Sequence, residues 1–122
     1  MAIGKDDSII RDERGAVIPV ADDPAGFKAV MIIDSVKGAI RANHIHKKDS
    51  HWMYILSGKA RYVEINKDAR AEHILFADDR IFTPPGIAHA MEFLEDTRMI
   101  VCTKNPRDYD TYMNDIIKVK VL

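Results

Sequence analysis

Cysteine is nearly absent from this chain. The one present, Cys102, has no partner, so no internal disulfide can staple the fold, and its place in the apolar run Met99-Ile100-Val101-Cys102 predicts a small buried thiol. An excess of either charge is missing too. Eighteen Lys plus Arg against nineteen Asp plus Glu leave a net charge of -1, which removes the global basic field that would hold nucleic acid or an anionic membrane. Long hydrophobic runs are also lacking. Those that exist, such as Ala29 to Ile33, fall far short of a membrane span, and Met1-Ala2-Ile3-Gly4-Lys5-Asp6-Asp7 carries no apolar stretch after a positive region. The expectation is a cytoplasmic protein with neither nucleic acid nor membrane as a partner.

What is there is an ordinary globular composition, 47% hydrophobic and 30% charged over 122 residues, which predicts one domain spanning 1–122. No stretch sustains a helical period over three turns. Short segments rich in β-branched, aromatic and Met residues recur between Gly, Pro, Asn or Asp, an all-β pattern of antiparallel strands. Strands are predicted near Ala16–Val20, Phe27–Val36, Ala39–His46, His51–Leu56, Lys59–Ile65, His73–Phe76, Arg80–Thr83, Ala88–Phe93, Thr97–Thr103 and Ile116–Val121. Lys37-Gly38, Ser57-Gly58 and Asn66-Lys67-Asp68 read as hairpin turns, and the polar stretch Pro106 to Asp115 as a loop.

Five histidines occur, and His44, His46 and His51 fall close together. Residues i and i+2 of a strand share a face, so His44 and His46 present two imidazoles side by side. If Lys47-Lys48-Asp49-Ser50 closes a hairpin, His51 returns opposite them. His89 follows a Pro84-Pro85-Gly86 turn at the start of another strand. His73, preceded by Arg70-Ala71-Glu72, reads as a surface or strand-edge residue.

The run Gly38, His44-Ile45-His46, His51, Gly58 resembles the first cupin motif, G-x5-H-x-H-x(3,4)-E-x6-G, over 38–58. Pro84-Pro85-Gly86-Ile87-Ala88-His89 is similar to the P-x-G-x-x-H centre of the second, over 78–93. Three positions depart from the pattern: His51 replaces the glutamate, Asp78 the opening glycine, and Phe93 the closing asparagine. The resemblance implies an antiparallel double-stranded β-helix, the cupin or jelly-roll barrel, with His44, His46, His51 and His89 as ligands of one divalent transition metal. Imidazole ligands suit Zn, Ni or Fe, with Mn also open, rather than Mg or Ca.

A weaker resemblance lies in Arg41-Ala42-Asn43-His44-Ile45-His46-Lys47-Lys48 and in the tail Thr103 to Tyr109 with Tyr112 and Asp115 to Val119. Both look like small cupins of nucleotide-sugar and surface-polysaccharide biosynthesis, relatives of 3,4-ketoisomerases and 3,5-epimerases. That implies proton transfer on a small, polar, anionic carbohydrate-type substrate. An Fe(II)-dependent dioxygenase and a non-catalytic metal- or sugar-binding module are the alternatives. If both strand histidines bind metal, the base is a metal-bound hydroxide or another residue such as Tyr62, Glu64 or Glu92.

Alternation puts Met53 on the face of His51, and Met91 and Phe93 on that of His89, as substrate-binding walls. Parity in a regular strand turns Arg41 away from His44 and His46, so it reaches substrate only across a bulge. Trp52 and Tyr54 are expected on the opposite face, and two exposed rings there predict a homodimer.

Overall fold

The computed structural model describes residues 3–5, 9–21 and 26–122. The amino-terminal stretch Met1 to Asp7 therefore lies partly outside the described residues. The strands are β1 (Ile3–Lys5), β2 (Ile10–Asp12), β3 (Gly15–Val17), β4 (Ala29–Ser35), β5 (Ile40–His46), β6 (His51–Ser57), β7 (Lys59–Asn66), β8 (Ala69–Phe76), β9 (Asp79–Thr83), β10 (Ala88–Phe93), β11 (Thr97–Thr103) and β12 (Ile116–Lys118). One helix, α1 (Tyr109–Asp115), precedes β12. Two five-stranded antiparallel sheets form, in the orders β1-β9-β6-β11-β4 and β12-β5-β10-β7-β8, with β2 and β3 as a separate hairpin. This is the expected all-β double-sheet barrel. No described helix is long and apolar enough to cross a membrane.

Period-two alternation builds the interior. On β6, His51, Met53 and Ile55 face inward, and on β10, His89, Met91 and Phe93 do the same. Ile55, Ala60, Tyr62, Leu75, Ile81 and Phe93 are at most 1% exposed, and each large apolar side chain so buried contributes about 1.5–3 kcal/mol. A smaller cluster of Val63, Ala88, Ala90 and Val121 covers the outer face of β7 and β10 under the carboxy-terminal segment.

The connections differ from the sequence expectation. Lys37-Gly38 and Ser57-Gly58 are turns with positive φ at glycine (89° and 99°), yet each carries the chain from one sheet to the other. They are crossovers, not hairpins. At Gly58 an added Cβ would also collide with Asp96 O and Thr97, so the position has no room for a side chain. The third turn does close a hairpin, with Asn66 paired to Ala69 and Lys67 at φ 57°. Asp78, where the cupin pattern has glycine, adopts the same left-handed conformation at φ 72°.

Two further expectations need correction. The Pro106 to Asp115 segment is no simple loop: Asp108 caps α1, its carboxylate accepting from Thr111 N at 3.1 Å and Thr111 Oγ1 at 2.9 Å. Nor do Trp52 and Tyr54 form an exposed patch. Tyr54 is buried and its hydroxyl donates to Asp78 Oδ1 at 2.6 Å, while Trp52 is half-buried under the Arg80 guanidinium and beside Phe82. The premise for a homodimer on that face falls away. Cys102 is buried as expected.

Candidate metal centre

His44 and His46 end β5, and a bulge sets them. Ala42 and Asn43 both adopt positive φ (71° and 52°), and the register with β10 slips from His89↔His44 to Ala90↔Ala42, leaving Asn43 as the extra residue. Asn43 is tied to the tail, its Oδ1 accepting from Val121 N at 2.9 Å and Leu122 N at 3.0 Å. The slip reverses the parity of everything before it. Arg41, paired with Met91, therefore lines the cavity after all, with Nε donating to Ser35 Oγ at 2.7 Å.

His51 arrives differently from the expectation. β5 and β6 lie in different sheets, so Lys47 to Ser50 is a crossover, and His51 reaches His46 across the barrel interior rather than along a hairpin. His89 is delivered by the Pro-Pro-Gly turn, whose Gly86 N–H donates to the His46 carbonyl at 2.8 Å. That bond locks the two motifs together.

The four rings converge. His44, His46 and His89 each offer a ring nitrogen within 4.8 Å of the others. The His51 ring centroid lies 5.2 Å from both His46 and His89. All four are buried. Asp115, the last residue of α1, accepts from His46 Nδ1 at 3.0 Å, and Ile87 O is 3.2 Å from His89 Nδ1. Each bond fixes the donor on Nδ1 and leaves Nε2 with its lone pair, the arrangement found behind metal-binding histidines. His51 Nδ1 is buried with no hydrogen-bonding partner. An orphaned imidazole nitrogen in a set of neutral imidazoles is what a soft-to-borderline divalent ion would satisfy, so the residues fit such an ion.

Burial keeps the imidazoles neutral. It lowers His44 to about 3, with the neighbouring His89 and His46 adding to the effect, and His89 to about 4. His46 is lowered by burial against the opposing pull of Asp115, and His51 is held well below its ordinary value, again by burial first. Neutral rings are the metal-competent form.

The cluster lines a cavity of about 430 Å³, the size of a small-molecule site. Met31, Met53, Met91 and Met99 form its apolar wall, with Arg41, Arg107 and Tyr112 as polar groups. Met53, Met91 and Arg41 thus line it as expected. Phe93 does not: it lies deeper, among Tyr62, Leu75 and Met91 in the packed core.

None of the three expected bases lines the cavity. Glu92 faces the outer side of β10, its carboxylate accepting from Arg61 Nε at 3.2 Å, and is corrected on that ground. Tyr62 faces inward below the cavity, its hydroxyl 2.8 Å from Thr83 Oγ1 and donating to Glu64 Oε2 at 3.2 Å. Burial pushes the Tyr62 phenol up, so it stays protonated, and Glu64 is engaged with it. His73 sits on the edge strand β8, outside the cavity.

Four polar residues escaped the sequence reading of the site: Asp49, Arg107, Tyr112 and Asp115. Asp49 is buried in what reads as a polar turn, and its Oδ1 accepts from the N–H groups of Ser50, Lys104 and Asn105 at 2.9–3.0 Å. Asp115 accepts also from Lys48 N at 2.8 Å and Asp49 N at 3.2 Å. His46, Asp49 and Asp115 form a second close group, but its carboxylates are already occupied by backbone donors. The sequence signals were the tail resemblance that includes Arg107, Tyr112 and Asp115, which named no role for them, and Asp108 as a helix cap, which marks a helix start but not its place in the fold.

Comparison with known proteins agrees with this fold. Residues 31–103 match the cupin domain profile. Among curated proteins, a probable oxalate decarboxylase of Arthroderma benhamiae is 29% identical over 102 residues, 83% of this chain. The chain spans about a quarter of that relative's length, 24%. Among solved structures, a double mutant of the QdtA 3,4-ketoisomerase from Thermoanaerobacterium thermosaccharolyticum, in complex with TDP, is 25% identical with a TM-score of 0.74, covering 91% of this chain and 82% of its own. The WlaRB TDP-quinovose 3,4-ketoisomerase of Campylobacter jejuni has the same fold, at 19% identity and a TM-score of 0.76, covering 90% and 86%. With the domain profile matching more than half of its residues, this chain belongs to the cupin domain family.

Proposed function

We propose that this cupin holds one divalent transition metal through His44, His46, His51 and His89 and catalyses proton transfer on a small, anionic, carbohydrate-type substrate. The observation that carries the reading is the convergence of ring nitrogens from His44, His46 and His89, with the buried His51 ring 5.2 Å from two of them, in a cavity also lined by two guanidiniums. The likeness to 3,4-ketoisomerases supports the reaction class. When bound, the ion would supply a positive charge for the oxygen of a ketone whose neighbouring carbon loses a proton.

The chain's own residues do the rest. Asp115 and the Ile87 carbonyl orient His46 and His89. The methionine wall excludes water from the substrate body. Of the remaining lining side chains, Tyr112 is the one whose hydroxyl can give or take a proton, and its ring lies 6.0 Å from His44 and 6.1 Å from His46. It takes the role that Tyr62, Glu64 and Glu92 are not placed to fill. The apolar wall of four methionines favours a second reading, oxygen chemistry with iron on a less polar molecule.

One experiment separates the two. The metal-loaded protein is incubated with a TDP-linked 4-keto sugar in heavy water, and deuterium beside the ketone is followed by NMR. Metal-dependent exchange that falls in Tyr112→Phe is expected. No exchange, together with metal-dependent oxygen uptake, would replace the isomerase reading with the oxygenase one.

A further inference from the structure

Arg41 and Arg107 are the two permanently charged side chains among the described residues lining the cavity, and no carboxylate lines it. They are held in different ways. Arg41 is exposed at the rim, with Nε on Ser35 Oγ and Nη2 on the Asp34 carbonyl at 3.1 Å. Arg107 comes from the far side, in the segment between β11 and α1, and its side chain is only 15% exposed. Its guanidinium lies 4.7 Å from the Tyr112 ring centre, and Nη2 makes a long ion pair of 3.5 Å with Asp49 Oδ2. Asp49 also serves three backbone N–H groups, so its charge is shared before Arg107 reaches it.

One donor is left over. Arg107 Nε is buried and has no hydrogen-bonding partner. A guanidinium N–H shut away from water without an acceptor costs free energy, and buried donors are nearly always paired.

We infer that Arg107 is the docking group for an oxyanion on the ligand, a carboxylate or a phosphate, received by the part of its guanidinium that lines the cavity beside the imidazole cluster. This rests on the cavity being the ligand site, and it names the chemical handle by which a ligand is chosen. Planar guanidinium donors match the oxygens of carboxylate and phosphate, a fit that lysine cannot reproduce. The anionic group lies against the α1 side, and the rest of the ligand extends over the histidines toward the methionine wall. Tyr112, stacked on the same guanidinium, then stands between the anion and the cluster.

The test uses the full chain without metal. Arginine Nε–H signals of the 15N-labelled protein are followed by NMR during titration with inorganic phosphate and, separately, with malonate, at constant ionic strength. The Arg107 signal is identified by its loss in Arg107→Lys. The expected result is a saturable shift of that signal with at least one probe, and roughly tenfold weaker binding of that probe in Arg107→Lys, which keeps the charge but not the fork. The probe that binds more tightly tells phosphate from carboxylate. An Arg107 signal unmoved by both probes at tens of millimolar, or equal affinity in Arg107→Lys, overturns the inference. Because no metal is needed, a chain that takes up no metal but shifts at Arg107 keeps the anion site and loses the metal reading. A chain that loads metal and stays silent does the reverse.

Discussion

The two ends of the barrel interior are built by the same strands and have opposite characters. On β6 the inward residues run His51, Met53, Ile55, and on β10 they run His89, Met91, Phe93. At one end lies a packed core of Ile55, Leu75, Ile81 and Phe93. At the other, four residues back along each strand, an imidazole faces a cavity. Methionine stands between, a flexible side chain suited to the boundary of a packed region and an open one. Parity thus decides which residues face inward, and position along the strand decides whether they hold the fold or meet a ligand.

The sharpest way to break this comparison is to damage each end in turn. Phe93→Ala at the closed end should cost about 3–5 kcal/mol in urea unfolding, the range for truncating a buried Phe, and leave metal stoichiometry unchanged. Loss of metal in that variant would mean that the ends are not separable. Asp115→Asn at the open end should weaken metal binding about 10–100-fold, because the amide no longer fixes His46 in the Nδ1–H form. A competition titration reads this directly, and an unchanged affinity would reduce Asp115 to a helix anchor.

Acid should separate the ends as well. His44 and His89, at about 3 and about 4 in the folded protein, lie below the 6.5 of an ordinary histidine. Below that value the unfolded chain takes up protons that the folded one refuses. Stability of the metal-free protein is therefore full at neutral pH and is lost as pH falls from about 6.5 toward about 4. The melting temperature should drop over that window, and the double variant His44→Gln/His89→Gln should flatten the fall. A wild-type melting temperature constant from pH 7 to pH 4 would contradict buried neutral rings. The smallest effect is expected for His73→Ala on edge strand β8, within about 0.5 kcal/mol and with metal binding intact.

Much of this was legible in the sequence. Alternation along one strand put His44 and His46 side by side, a local property, and the resemblance to the two cupin motifs added His51 and His89. The route of His51 was not legible, since four residues can close a hairpin or cross between sheets, and only long-range pairing chooses. Nor was the position of Arg41, whose parity depends on Ala42 and Asn43 taking positive φ, a conformation held in part by the distant tail. Glu92 was a different kind of miss: three residues from His89 on a regular strand, it faces the other way by alternation alone. For Trp52 and Tyr54 the outward direction was right, but their cover, Arg80, Phe82 and Asp78, comes from β9 and the turn before it. The roles of Asp49 and Asp115 rest on contacts 55 to 69 residues away in the chain, beyond the reach of any local pattern.

The central claim is that four histidines share one metal. Elemental analysis of the purified protein and of His44→Ala, His46→Ala, His51→Ala and His89→Ala, each checked for folding by circular dichroism, tests it most directly. The account predicts one divalent transition-metal ion per chain in the parent protein and a large loss in every one of the four variants. Full occupancy in a folded His89→Ala protein, or no metal in the parent after reconstitution, would contradict it.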